Sequence, residues 1–166
     1  AVNQINTIVD RTIASTLVEG SISALNYATK LNQFVMGMFI ISISSVVYPM
    51  LSKLSTENNK EKFNKSIITS VNTVTLLVIP ISIGAIILAN PIVKLLFQRG
   101  EFDVRATQMT AVALIFYSIG MIGYGLRDIL GKVFYSLQDT RTPMINGVIA
   151  MVLNITLNIL FVKYTN

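Results

Sequence analysis

Residues 66–93 read SIITSVNTVTLLVIPISIGAIILANPIV, 28 residues without one charged side chain. A helix needs about 20 apolar residues to cross a hydrocarbon core of roughly 30 Å, so this stretch is long enough to span a bilayer. Three more charge-free runs flank it, at 31–52, 106–126 and 142–162. The whole chain of 166 residues is 52% hydrophobic and 13% charged, with a mean hydropathy of +0.64. Soluble domains carry about 25% charged residues. The fold class expected is therefore all-α: a polytopic membrane helix bundle of about five transmembrane helices.

Five helices are readable, at about 1–17, 22–52, 64–90, 103–136 and 143–163, in a single membrane-embedded piece. Glu19–Gly20–Ser21 breaks the first two. The polar stretch Ser52 to Lys65 reads as a solvated loop. Asn90–Pro91 ends the third helix, and Ile92 to Phe97 is short and amphipathic. Asp103 is the expected cap of the fourth helix, and Thr142 followed by Pro143 the expected start of the fifth. Pro80 lies inside the third helix and Gly120, Gly123 and Gly125 inside the fourth. Such residues serve close packing or gating, packing being the commoner use. The first apolar segment is already under way at residue 1, and the last is followed by only a few residues. This suggests an internal fragment of a larger protein.

Composition removes several function classes. The chain has no Cys and no His, so thiol chemistry, disulfides, most zinc sites and imidazole acid–base work are excluded. No nucleophile elbow, phosphate-binding glycine loop or metal-ligand cluster is present, which points away from an enzyme. The net charge of +5 falls mainly between apolar segments rather than in a basic patch interleaved with aromatics, so nucleic acid is not the expected partner. Lysine and arginine are divided six against four between the two sides of the bundle. That bias puts the Lys53–Lys65 segment in the cytoplasm.

Against this background the charges inside apolar segments stand out, since a charge there is costly and usually functional. Asp10 precedes Gly20 by ten residues and Lys30 follows it by ten. In a helical hairpin both lie about 15 Å from the turn, level with each other near mid-membrane. Lys30 shares a face with Asn26 and Gln33, and Asp10 with Asn6 and Asn3. Two readings stay open: a structural ion pair between neighbouring helices, or a watery cavity whose cation binds an anionic group. Arg11 points about 100° away from Asp10 and serves a different interface. Asn154 and Asn158 form an i,i+4 pair on the fifth helix. They serve either interhelical hydrogen bonds or, with the Asp10 carboxylate, an oxygen site for a hard cation such as sodium. Arg127, Asp128 and Lys132 read as a solvated helix end, with Asp128 and Lys132 as an i,i+4 pair.

Several blocks occur in order along nearly the whole chain. They are Asp10–Arg11–Thr12–Ile13–Ala14–Ser15, Gly20–Ser21–Ile22–Ser23–Ala24–Leu25–Asn26–Tyr27–Ala28 and Tyr48–Pro49–Met50–Leu51–Ser52, then Leu96–Phe97–Gln98–Arg99–Gly100–Glu101–Phe102 and Phe134 through Pro143. Together they resemble the MurJ (MviN-type) lipid II flippase family of the MOP exporter superfamily. The resemblance implies a transporter of fourteen transmembrane helices in two lobes around a central cavity, with this piece matching about the seventh to eleventh. It implies flipping of a lipid-linked peptidoglycan precursor by alternating access, in the bacterial cytoplasmic (inner) membrane. The implied partners are a lipid-linked pyrophosphate substrate, membrane lipid and the remaining helices of the full-length protein. Lys30 falls where the family has a basic cavity residue, with Asn26 beside it as a second substrate contact. Many relatives have Asp just before that position, where this chain has Thr29. Asp10, Asn154 and Asn158 fall on the sodium ligands of ion-coupled members, so sodium is the implied coupling ion. An Asp of some relatives is Asn158 here. Three alternatives remain. One is an exporter of another lipid-linked oligosaccharide or polysaccharide. Another is a membrane-embedded glycosyl or phosphate transferase, for which the loops are short. The last is a structural scaffold.

Overall fold

The computed structural model describes residues 20–57, 59–100 and 102–165, with side chains described as far as residue 160. The expected first helix, with Asp10 and Arg11, lies outside the described residues. Everything described in regular structure is helical. Helix α1 (Ser21–Met36) passes through one wide π-helical turn (Gly37–Ile41) into α2 (Ser42–Thr56), and the three form one rod. There follow α3 (Lys60–Ile87), α4 (Ala89–Phe97), α5 (Val104–Ser136) and α6 (Arg141–Thr165). Among the described residues, four stretches are long and apolar enough to cross a membrane: Ser21–Thr56, Lys60–Ile87, Val104–Ser136 and Arg141–Leu160.

Several helix ends differ from those expected. The stretch Ser52 to Lys65 is mostly helix rather than loop. α2 runs on to Thr56, and α3 begins at Lys60, where the Asn59 side chain accepts a hydrogen bond from Lys62 N at 3.0 Å. A charge-free run measures bilayer thickness, and nothing stops a capped helix from continuing into water. The third helix ends at Ile87, before Asn90–Pro91. Pro91 sits in the first turn of α4, where its missing N–H costs no bond. Asp103 caps α5 as expected, its Oδ1 accepting from Ala106 N at 2.7 Å. The cap of α6 is not Thr142 but Asp139. Asp139 Oδ1 accepts from the amides of Arg141 and Thr142 at 3.0 Å each, and Oδ2 accepts from the Thr142 hydroxyl at 2.6 Å. These bonds, the Thr142 hydroxyl's first, hold the Asp139 carboxyl below its ordinary pKa.

The chain divides into two compact units, one of them Ala24–Gln138. Within that unit α5 is the hub, packing against α2, α3 and α4. Its ten buried positions follow the helical repeat from Thr107 to Ser136, and six of them are small: Thr107, Thr110, Ala111, Ser118, Gly125 and Ser136. Lipid offers helices no hydrophobic drive to associate, so small side chains that permit close approach supply the contact. Gly125 marks the tightest place. A Cβ there would lie 3.1 Å from Val74 Cγ1 and 3.3 Å from Ile40 Cδ1. At Gly120 and Gly123 a Cβ would meet nothing within 4 Å, so of the three glycines only Gly125 is a packing device.

Contacts fix the directions. Ile40 lies at Gly125, Ser44 binds Asp128, and the Ser55 hydroxyl donates to Ser136 O at 2.9 Å. The rod therefore runs parallel to α5. Two apolar clusters result. One gathers Met36, Ile40, Val74, Val78, Met121 and Ile129 among others. The second gathers Ala28, Ala89, Val93, Ala111 and Leu114 around α4. In the other unit, α6 leaves Met144, Ile145, Val148, Val152, Leu153 and Leu157 exposed.

Candidate anion-binding site

Helix α1 has two unlike faces. Ala24, Ala28, Asn32 and Met36 form its buried stripe at i,i+4 spacing; Ala28 joins the apolar cluster around α4, and Met36 joins the larger one. The opposite face carries Asn26, Lys30 and Gln33, all exposed. The expected grouping of Lys30 with Asn26 and Gln33 on one face is thus what the helix presents. Whether Asp10 pairs with Lys30 lies outside the described residues.

Lys30 is not loose on that face. Its Nζ lies 5.6 Å from the centroid of the Tyr27 ring, one turn earlier. Tyr27 is itself fixed by two further rings, Phe97 at 4.8 Å and Phe102 at 5.1 Å, the latter edge-on at 85°. Phe97 and Phe102 lie 5.9 Å apart across the turn joining α4 to α5. That turn is closed by Arg99 N bonding Phe97 O at 2.8 Å and Phe102 N bonding Arg99 O at 3.2 Å. Gly100 supplies its left-handed residue, at φ 57°. Sequence reasoning singled out Lys30 but not Tyr27. The i−3 spacing was visible, whereas the ring cluster that fixes Tyr27 joins residues some 70 positions apart.

The other candidate residues divide differently. Asn158 Nδ2 donates to Asn154 Oδ1 at 2.9 Å, so the two amides are joined along one face of α6. Amide oxygens are hard donors of the kind sodium takes, and Asn154 Oδ1 keeps a second lone pair. Their donor chemistry fits such an ion, while Asp10, expected to complete the set, lies outside the described residues. Among the described residues no group of three His, Cys, Asp or Glu side chains gathers as a metal centre.

Asp128 corrects the expectation of a solvated helix end. Its Oδ2 accepts a hydrogen bond from the buried Ser44 hydroxyl across the α2–α5 contact. Lys132 does not pair with it but lies over the Tyr48 ring, 5.9 Å from the centroid. Among the described residues the ion pair is Lys53–Glu57, at 3.9 Å on the exposed end of α2. Asn32 was also unforeseen. It is buried, its Nδ2 donating weakly to Met36 Sδ at 3.8 Å, and its Oδ1 has no hydrogen-bond partner among the described residues.

A family model described as "Lipid II flippase MurJ" matches residues 1–166. The chain belongs to the MurJ family of lipid II flippases. A probable lipid II flippase MurJ of Vibrio cholerae is 39% identical over 161 residues, covering 97% of this chain and 31% of the relative. That of Haemophilus influenzae is 36% identical over 171 residues, covering 99% of this chain and 34% of the relative. A solved structure described as "Lipid II flippase MurJ, inward closed conformation" superposes with a TM-score of 0.86 at 35% identity, covering 96% of this chain and 34% of that one. The chain spans about a third of the length of the MurJ relatives it matches. With four apolar spans among its described residues, this MurJ-family chain is a multi-pass membrane protein.

Proposed function

We propose that this chain is the part of a lipid II flippase that holds the substrate's pyrophosphate through Lys30, in a bacterial inner membrane. The observation that carries the reading is an ammonium displayed on the exposed face of α1, a helix with no other charge. A charge so placed is expensive and usually marks a transport path. Coulomb attraction grows as the local dielectric falls, so Lys30 attracts a diphosphate far more strongly in a narrow cavity than in water. Asn26, one turn away on the same face, supplies amide donors for oxygens of the same group. Alternating access then needs the anion held firmly enough to be drawn from one leaflet and loosely enough to leave at the other.

Sodium coupling belongs to the same proposal. Asn154 and Asn158 offer amide oxygens one turn apart on α6, and Asp10 would add the negative charge. Full family resemblance along residues 1–166 favours lipid II over another lipid-linked oligosaccharide. The test is complementation and vesicle flipping with the full-length protein. Lys30→Ala should abolish lipid II flipping, and Lys30→Arg should retain it. Normal flipping by the Ala variant would end the proposal.

A further inference from the structure

We propose that Tyr27 is a positioning residue for the anion site: its ring is a fixed platform that holds the Lys30 ammonium pointed at the substrate. The inference rests on the reading of Lys30 given above and adds a second residue to it. Three observations carry it. Lys30 Nζ lies within cation–π range of the ring, at 5.6 Å. Tyr27 is wedged between Phe97 and Phe102 at 4.8 and 5.1 Å. Those two rings are locked in turn by the closed turn from Phe97 to Phe102. The platform is therefore held by the end of α4 and the turn after it, not by α1 alone.

The chemistry explains why a ring suits this place. A lysine stem has four rotatable carbons, and ordering it costs entropy that is otherwise taken from substrate affinity. A carboxylate partner would order it too, but would cancel the charge that the pyrophosphate needs. The ring attracts the cation through its quadrupole and leaves the full positive charge in place. It occupies one side of the ammonium, while the remaining N–H donors stay available to phosphate oxygens. Preorganisation of this kind raises affinity without any new contact to the ligand.

The experiment measures lipid II binding to the full-length protein in nanodiscs, with flipping in vesicles as a second readout. Tyr27→Phe and Tyr27→Trp keep a ring and should bind within about twofold of the parent. Tyr27→Leu keeps bulk but no π face and should weaken binding about two- to fivefold, the range of an exposed cation–π contact. Its maximal flipping rate should stay within about twofold. In a Lys30→Gln background the same three changes at position 27 should leave residual binding alike. Equal binding by the Leu, Phe and Trp variants, with Lys30→Gln still defective, would overturn the positioning role while sparing the anion site. So would a loss that persists undiminished in the Lys30→Gln background, since that describes core packing. Unimpaired binding by Lys30→Gln itself would remove the anion site and this inference with it.

Discussion

Two charged residues stand on apolar helices of the same packed unit, and their surroundings are opposite. Lys30 is on the open face of α1, leaning on an aromatic ring. Asp128 is half-buried where α5 meets α2, receiving the Ser44 hydroxyl. Both break apolar runs, so both carry the sequence signature of function. The lysine is exposed, and among the described residues no carboxylate pairs with it. The carboxylate spends an acceptor on a neighbouring helix. Cost in the membrane marks a charged residue as purposeful; the direction it faces separates recognition from assembly.

That contrast can be broken most sharply at Lys30. Lys30→Ala should lower lipid II flipping at least about 30-fold, since losing one partner of a desolvated charge pair costs about 2 kcal/mol or more. Protein level and thermal stability in detergent should not move. The assembled side should answer in the reverse way. Gly125→Leu drives a side chain into Val74 and Ile40 and should cost about 1–3 kcal/mol of stability. Gly123→Ala, with nothing within 4 Å, should be neutral or stabilise by up to about 1 kcal/mol. A differential melt of the two variants decides this. Ser44→Ala should cost about 1 kcal/mol, with flipping retained. A double-mutant cycle with Asp128→Ala should return a loss smaller than the two single losses together. If Ser44→Ala instead stopped transport at unchanged stability, Asp128 would belong with Lys30.

The smallest effect concerns a third charge, one that lies in water. Asp139 caps α6 and its pKa is lowered, first by the Thr142 hydroxyl. A carboxyl whose folded pKa is depressed contributes stability above its unfolded value of about 3.9, and loses it as pH falls through the folded value. Protection of the Arg141 and Thr142 amides from exchange, relative to the intrinsic rate at each pH, should therefore fall on acidification below about pH 4. Asp139→Asn should flatten that dependence.

Much of this is legible in the sequence. The charge-free runs located the described spans, because bilayer thickness imposes its length directly on sequence. Asp103 announced its helix, because a cap bonds within three residues. Helix ends beyond the membrane were not legible in the same way. Lys60 to Lys65 read as loop because they are charged, yet Asn59 caps them into α3. Thr142–Pro143 looked like a start, and the true cap stood three residues earlier. Asp128 was misjudged for a related reason. The i,i+4 rule offered Lys132 on the same helix, whereas Ser44, 84 positions away, is brought there by packing. Lys30 was visible as a lone charge; the ring beneath it needed the α4–α5 turn to become a platform.

The wide turn Gly37–Ile41 has a further consequence. It holds one residue more than an α-helical turn would, and the Ser42 hydroxyl donates back to Gly37 O at 3.4 Å. Each residue advances a helix by about 100°. That extra residue works like a detent in a ratchet, setting the angular offset between the half of the rod bearing Lys30 and the half bearing Ser44. Deleting one residue here would leave every helix in place as a span and turn the lysine by more than a quarter revolution, away from whatever it was built to grasp.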